Sequence, residues 1–174
     1  MKNFNLLVST SRFNEINASA ELWFSLLTCG DKYPIINNLD VSGLISALTN
    51  LNAKEVIHKL RKTVKEDPYF FRFILKIVPI DYLCESNIRV ISQIIEKHYK
   101  EYMEDEDSFK ITLKRRNNEL INRENFIKII AEKIDNKVNL TNPDIDIRFE
   151  FIGNTCGISF LKPDDILKSI HQQE

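Results

Sequence analysis

The cationic side chains of this chain are concentrated in one short block. Residues 110–137 hold Lys110, Lys114, Arg115, Arg116, Arg123, Lys128, Lys133 and Lys137, eight bases against four acids. Before the block there are 13 bases and 15 acids, and after it three and six, so a net charge of −1 conceals a basic island. A polyanion senses charge within a Debye length of about 8–10 Å at physiological salt, so the local excess matters more than the net value. Within the block, Phe109, Ile111 and Leu113 alternate with Lys110, Thr112, Lys114 and Arg116, which predicts a strand with one apolar face. Arg115 falls on the apolar side, at the strand end, where it can escape the core. Asn117 and Asn118 follow, Asn122 is placed to cap a helix, and Arg123 falls in its first turn, where unpaired N–H groups favour an anion. Guanidinium forks, amides and a helix start around one loop suit phosphates and single-stranded bases together. Lys137, in the next loop, and Lys162, just before the last predicted element, extend the candidate set. A run of lysines is ordinarily a solvated face, so charge alone leaves an acidic protein partner open.

Other chemistries find little support. The four glycines, Gly30, Gly43, Gly153 and Gly157, are too scattered for a GxxxxGK(S/T) or GxGxxG phosphate loop. Cys29, Cys84 and Cys156 are odd in number and lack a CxxC pair, which speaks against a disulfide framework or a zinc site. His58, His98 and His171 fall on or beside predicted helices with no ligand at metal spacing. No serine sits in a GxSxG elbow. No catalytic residue, metal or cofactor is expected, although a small RNA-acting enzyme with a histidine base remains the rival from a different class. Trp23, Tyr69, Phe70 and Phe71 could stack bases, but their spacing predicts core packing.

The elements that must position the basic block follow from hydrophobic periodicity. Phe4, Leu6 and Val8 predict a strand. Ile16, Ala20, Trp23 and Leu27 predict the buried stripe of a helix, ended by Gly30. Two short strands are expected within residues 31–50. Asn52 and Glu55 open a helix with Val56, Ile57, Leu60 and Val64, which Asp67-Pro68 stops. Alternation from Phe71 to Ile77 predicts a strand. In the second half, Ser86 or Asn87 opens a helix with Ile88, Ile91 and Ile95, and then comes the basic strand. The helix begun at Asn122 carries Ile127, Ile130 and Ile134. Ile145 to Phe151 alternate with Asp146, Arg148 and Glu150, Gly153-Asn154 reads as a turn, and Cys156, Ile158 and Phe160 return as a hairpin. Pro163 is expected to start a final helix through Ile166 and Ile170.

With 174 residues, 43% hydrophobic and 28% charged, the composition is that of a folded globular protein. No apolar run approaches a membrane span and no signal-type segment opens the chain, so a cytoplasmic address is expected.

The C-terminal half resembles a THUMP domain, and in particular the small THUMP adaptors of the acetyltransferase that makes acetylcytidine in tRNA. The segments that carry the likeness are FKITLKRRNN (Phe109 to Asn118), Asn122-Arg123-Glu124, NKVNLTNP (Asn136 to Pro143) and FEFIGNTCGISFLKPDD (Phe149 to Asp165). The opening LLVSTSRFNEINASAELWFSLL is similar as well. The resemblance implies an α+β chain, with an N-terminal ferredoxin-like unit (1–80) packed on a THUMP α/β domain (81–174) with mixed sheets. It further implies that the 3′ acceptor end of tRNA is the ligand and a separate tRNA cytidine acetyltransferase the partner. The chain is then a non-catalytic adaptor, because no methyltransferase, deaminase or sulfur-transfer domain follows the module. The long charged extensions of larger adaptors are not expected here, nor are the contacts they make. An RNA-binding or protein-interaction module serving another tRNA modification enzyme is the alternative. Whether the chain dimerises stays open.

Overall fold

The structure, a computed structural model, describes residues 3–118 and 121–170. These form two compact units, one of residues 3–80 with 164–170, the other of residues 81–163.

The first unit begins with β1 (Leu6–Thr10), α1 (Glu15–Cys29), β2 (Ile35–Asn38), β3 (Leu44–Leu48), α2 (Ala53–Glu66) and β4 (Ile74–Pro79). This β-α-β-β-α-β order is a split βαβ arrangement, and the sheet runs β2-β3-β1-β4. Leu6 and Val8 of β1 and Ile45 and Ala47 of β3 meet Ala18, Leu22 and Leu26 of α1 and Val56, Ile57 and Leu60 of α2 in one core. Asn52 caps α2 through its side chain, which accepts from the N–H groups of Lys54 and Glu55. Gly30, at φ 105°, ends α1 in the left-handed region, as the sequence predicts.

Two expectations for this unit fail. The buried stripe of α1 is Ala18, Leu22, Ser25 and Leu26, while Ile16, Ala20 and Trp23 face outward. The helix is apolar on both sides, and Glu15 and Glu21 decide which side turns in. Glu15 accepts from the N–H of Gly43 (2.6 Å), and Glu21 from those of Arg72, Phe73 and Ile74 (2.6, 3.1 and 2.8 Å). Nor does Pro163 start a helix. Pro163 and Asp164 form a turn, and Leu167–Lys168 pair with β4 as a further edge strand, β9. Arg61 holds the returning segment through the carbonyls of Asp164 and Ile166 (2.7 and 2.6 Å), and His58 contacts Asp165 at 3.1 Å. Residues 164–170 thus group with the first unit.

The second unit contains β5 (Tyr82–Glu85), α3 (Ile88–His98) followed by a short 3₁₀ turn, β6 (Phe109–Arg116), α4 (Arg123–Ala131), β7 (Ile145–Ile152) and β8 (Thr155–Leu161). Its sheet runs β5-β8-β7-β6, with β6 parallel to β7 and the other neighbours antiparallel. β5 is not among the elements expected from the sequence. Phe109 and Leu113, the odd residues of β7 from Ile145 to Phe151, and Cys156, Ile158 and Phe160 of β8 all project to one face. There they meet Ile91 and Ile95 of α3 and Phe126 and Ile130 of α4. Phe126 contacts Phe149 and Phe151 edge-on, at 4.9 and 5.3 Å between ring centres. Gly153, at φ 54°, opens the two-residue β7–β8 turn.

Replacing Glu21 with Ala removes one acceptor group from three backbone N–H groups at the start of β4. We expect a loss of about 1–3 kcal/mol in urea unfolding. Glu66→Ala, at the exposed end of α2, should stay within about 0.5 kcal/mol.

Candidate nucleic-acid interface

The candidate site forms at the end of the second sheet where β5 and β6 both finish. Each strand turns there into a helix, β5 into α3 and β6 into α4, so both helix N-termini arrive at the same edge. In open α/β sheets, the crevice beyond the carboxyl ends of the strands is where ligands bind. Asn87 caps α3 by accepting from the N–H of Arg89 (2.9 Å), and Asn122 caps α4 by accepting from that of Asn125 (3.0 Å). Each helix start has four N–H groups without an intrahelical partner, and the dipoles place partial positive charge on the same side.

Between the two starts lies a groove of about 380 Å³ lined by Ser86, Asn87, Ile88, Ile121, Asn122, Asn125 and Phe126. Its walls are apolar at Ile88, Ile121 and Phe126 and amide-bearing at the asparagines. That combination, at a volume near the lower end for small-ligand pockets, suits a planar polar group such as a base.

The basic residues divide around this groove. Arg115 shares strand parity with Leu113 and so lies on the helix side, but beyond the core and exposed. Its Nη1 donates to the carbonyl of Ile121 at 2.5 Å, which holds the guanidinium at the groove wall and uses one of its five N–H donors. Arg123 is exposed in the first turn of α4. Lys114 is exposed on the opposite face of β6.

Arg116 is differently placed. Its Nη1 contacts Glu150 Oε2 at 2.5 Å, while Arg148 Nε holds Glu150 Oε1 at 2.6 Å. Glu150 is 1% exposed, so this is a buried carboxylate between two guanidiniums. Burial pushes its carboxyl up, yet Arg148 and then Arg116 outweigh that and hold it below its ordinary 4.5. Strand parity puts Arg116 on the polar face. That face is closed at β7, where Arg148 and Glu150 are buried rather than solvated.

Asn117 adopts a left-handed φ of 52°, which asparagine tolerates better than most residues. Asn118 donates from Nδ2 to the Ser86 hydroxyl and to the Gly153 carbonyl, both at 2.8 Å. It therefore ties the loop after β6 to the start of α3 and to the hairpin turn.

Lys137 and Lys162 belong elsewhere. The carbonyl of Lys137 accepts from the N–H of Phe109, the first residue of β6, and Lys162 follows Leu161, the partner of Asp146 near the start of β7. Both lie at the opposite end of the sheet, about 23 Å from Arg116 for seven strand steps. Lys137 also helps hold the Asp144 carboxyl below its usual range, behind the larger effect of the Ser108 hydroxyl. Ser86 and Asn87, expected only as the opening of a helix, and Asn125 line the groove without belonging to the expected site. Their signal was Asn87 and Asn122 as paired helix caps.

Of the histidines, His58 and His98 have carboxylate neighbours, Asp165 and Glu101, and His171 lies outside the described residues. Among the described residues no group of His, Cys, Asp and Glu is placed to hold a metal ion, and no helix is long and apolar enough to cross a membrane.

Glu150→Gln keeps the shape and removes the charge between the two arginines. Breaking such a buried pair costs about 3–5 kcal/mol. Because the folded pKa is depressed, the stabilisation is complete above about pH 4.5 and is lost as pH falls through the lower folded value. Urea unfolding against pH should show a steep acid limb in the parent chain, and a lower, flatter profile in Glu150→Gln.

Comparison with known proteins assigns this unit. The THUMP domain family matches residues 85–161. THUMP domain-containing protein 1 of Mus musculus is 30% identical over 128 residues, covering 70% of this chain and 37% of that protein. The chain thus spans little more than a third of the curated relatives it matches. Among solved structures, PH1313 from Pyrococcus horikoshii Ot3 shares the fold with a TM-score of 0.72 at 19% identity, over 97% of this chain and 56% of that one. A 4-thiouridine synthetase, solved as an RNA complex with bound ATP, does so with a TM-score of 0.58 at 12% identity, over 96% of this chain and 42% of that one. Residues 85–161 of this chain are a THUMP domain, a module associated with RNA binding and tRNA modification.

Proposed function

We propose that this chain binds tRNA by its single-stranded 3′ acceptor end and presents it to a separate enzyme. The observation that carries the reading is the convergence of two helix N-termini, an amide-lined groove and the exposed Arg115 and Arg123 at one edge of a THUMP sheet. A phosphate backbone would run past Lys114, Arg115 and Arg123. An unstacked base would enter between Ile88, Ile121 and Phe126, with the asparagine amides meeting its polar edge. Asn118 and Arg116 act at one remove: Asn118 holds the loop against Ser86, and Arg116 anchors the strand end through Glu150. The RNA bound by the fold-sharing 4-thiouridine synthetase supports a nucleic-acid ligand.

The enzyme served is, in this proposal, a tRNA cytidine acetyltransferase. Support for that step is the resemblance of Phe109 to Asn118 and Phe149 to Asp165 to the adaptors of that enzyme. The first unit is read as ferredoxin-like, on its split βαβ order. The chain itself is proposed to do no chemistry, so tRNA incubated with it alone should remain unmodified.

The triple variant Lys114→Ala, Arg115→Ala, Arg123→Ala should weaken tRNA binding. It should also flatten the plot of log affinity against log salt by about 0.7 per lost phosphate contact, or roughly 2 in all. Lys137→Ala with Lys162→Ala, at the other end of the sheet, should leave both quantities unchanged. Unchanged affinity and slope in the triple variant, with its circular dichroism intact, would mean that RNA binds elsewhere.

A further inference from the structure

The outer face of α1 has no role in either core. Phe13, Ile16, Trp23 and Phe24 are 92, 78, 50 and 56% exposed, and Ala20 and Leu27 lie among them. At 100° per residue, positions 16, 20, 23, 24 and 27 fall within an arc of about 100°, a complete apolar stripe. Phe13 extends it from the turn before the helix. Its φ of 70° is a left-handed conformation that a bulky residue adopts at a cost of about 1–3 kcal/mol. That strain leaves its ring in solvent.

We infer that this stripe is the contact surface for a second copy of the chain, with two α1 helices packed antiparallel across a two-fold axis near Ala20. Three observations favour this occupant. The first is charge. The only ionisable carboxylates of α1, Glu15 and Glu21, are turned aside to the N–H groups of Gly43 and of residues 72–74, so the stripe meets itself without like-charge repulsion. An uncharged face also offers nothing to a phosphate backbone. The second is stereochemistry. Ala20, the smallest side chain of the stripe, stands midway between Ile16 and Phe24. An antiparallel pair centred on it sets Ile16 of one copy against Phe24 of the other and lets the helices approach closely. The third is area. With about 150–250 Å² per aromatic side chain, the exposed fractions leave on the order of 500 Å² of apolar surface per copy. Two such patches supply about 1,000 Å² before the polar rim of Asn17 and Thr28, which reaches the small end of specific interfaces, where association is weak and reversible.

This inference is independent of the RNA reading, since the stripe lies wholly in the first unit. Trp23 is the single tryptophan of the chain and reports on the contact directly. Sedimentation equilibrium of the full chain, from low-micromolar to sub-millimolar concentration, should show the mass rising from one chain to two. Trp23 emission should shift to shorter wavelength over the same range. Ala20→Glu and Ile16→Glu, both at exposed positions, should raise the dimer dissociation constant more than about tenfold with unchanged circular dichroism. A single-chain mass throughout with solvent-exposed Trp23 emission overturns the proposal, as does a dimer whose affinity neither variant changes. A monomer whose emission moves only when tRNA or another protein is added overturns it as well.

Discussion

Eight residues of parallel pairing between β6 and β7 constrain the rest of the THUMP unit. The register runs from Phe109 opposite Ile145 to Arg116 opposite Ile152 without a shift. Parallel neighbours cannot be joined by a tight turn, so the chain leaving Arg116 must cross back over the sheet before β7 begins. That crossover is α4, and its first turn must start beside the end of β6. Because β5 points the same way, the start of α3 falls at the same edge. The groove therefore follows from strand direction, and the asparagine caps and arginines occupy places that the topology has already set.

The same register explains how the charge is sorted. Glu150 stands opposite Lys114, two residues below the Arg116–Ile152 level, on a face of β7 closed to water. A buried carboxylate needs cationic partners, and Arg148 and Arg116 provide them. Arg116 is thus committed to the protein, while Arg115, at the helix side, holds the groove wall through Ile121. Of two adjacent arginines, one fixes the strand end and the other borders the opening.

Much of this arrangement is legible in the residues alone. The alternation of Phe109 to Arg116 and of Ile145 to Phe151, the Gly153-Asn154 turn and the Asn122 cap are local signals, and the structure keeps all of them. What fails depends on long-range choices. Helix α1 is apolar on two sides, so periodicity admits either stripe, and only Glu15 and Glu21 reaching distant N–H groups select Leu22 and Leu26 for burial. Strands β5 and β9 have four residues and two, too few for a pattern, and exist because β8 and β4 offer edges. The candidate site is legible to the same extent. Its basic loop can be read directly, but parity favours Arg116 over Arg115, and no local pattern reveals that Glu150 is buried. Nor can spacing place Lys137 and Lys162 at the far end of the sheet, since that needs the strand directions.

The central claim is that the edge where β5 and β6 end receives a single-stranded tRNA terminus. Its most direct test is the affinity of the chain for tRNA with and without the 3′ terminal single strand, compared at low and physiological salt. The account predicts that removing those nucleotides weakens binding at both salts and lowers the salt slope, because phosphates at Arg115 and Arg123 are lost with them. Equal affinity and equal slope for the two RNAs would contradict it.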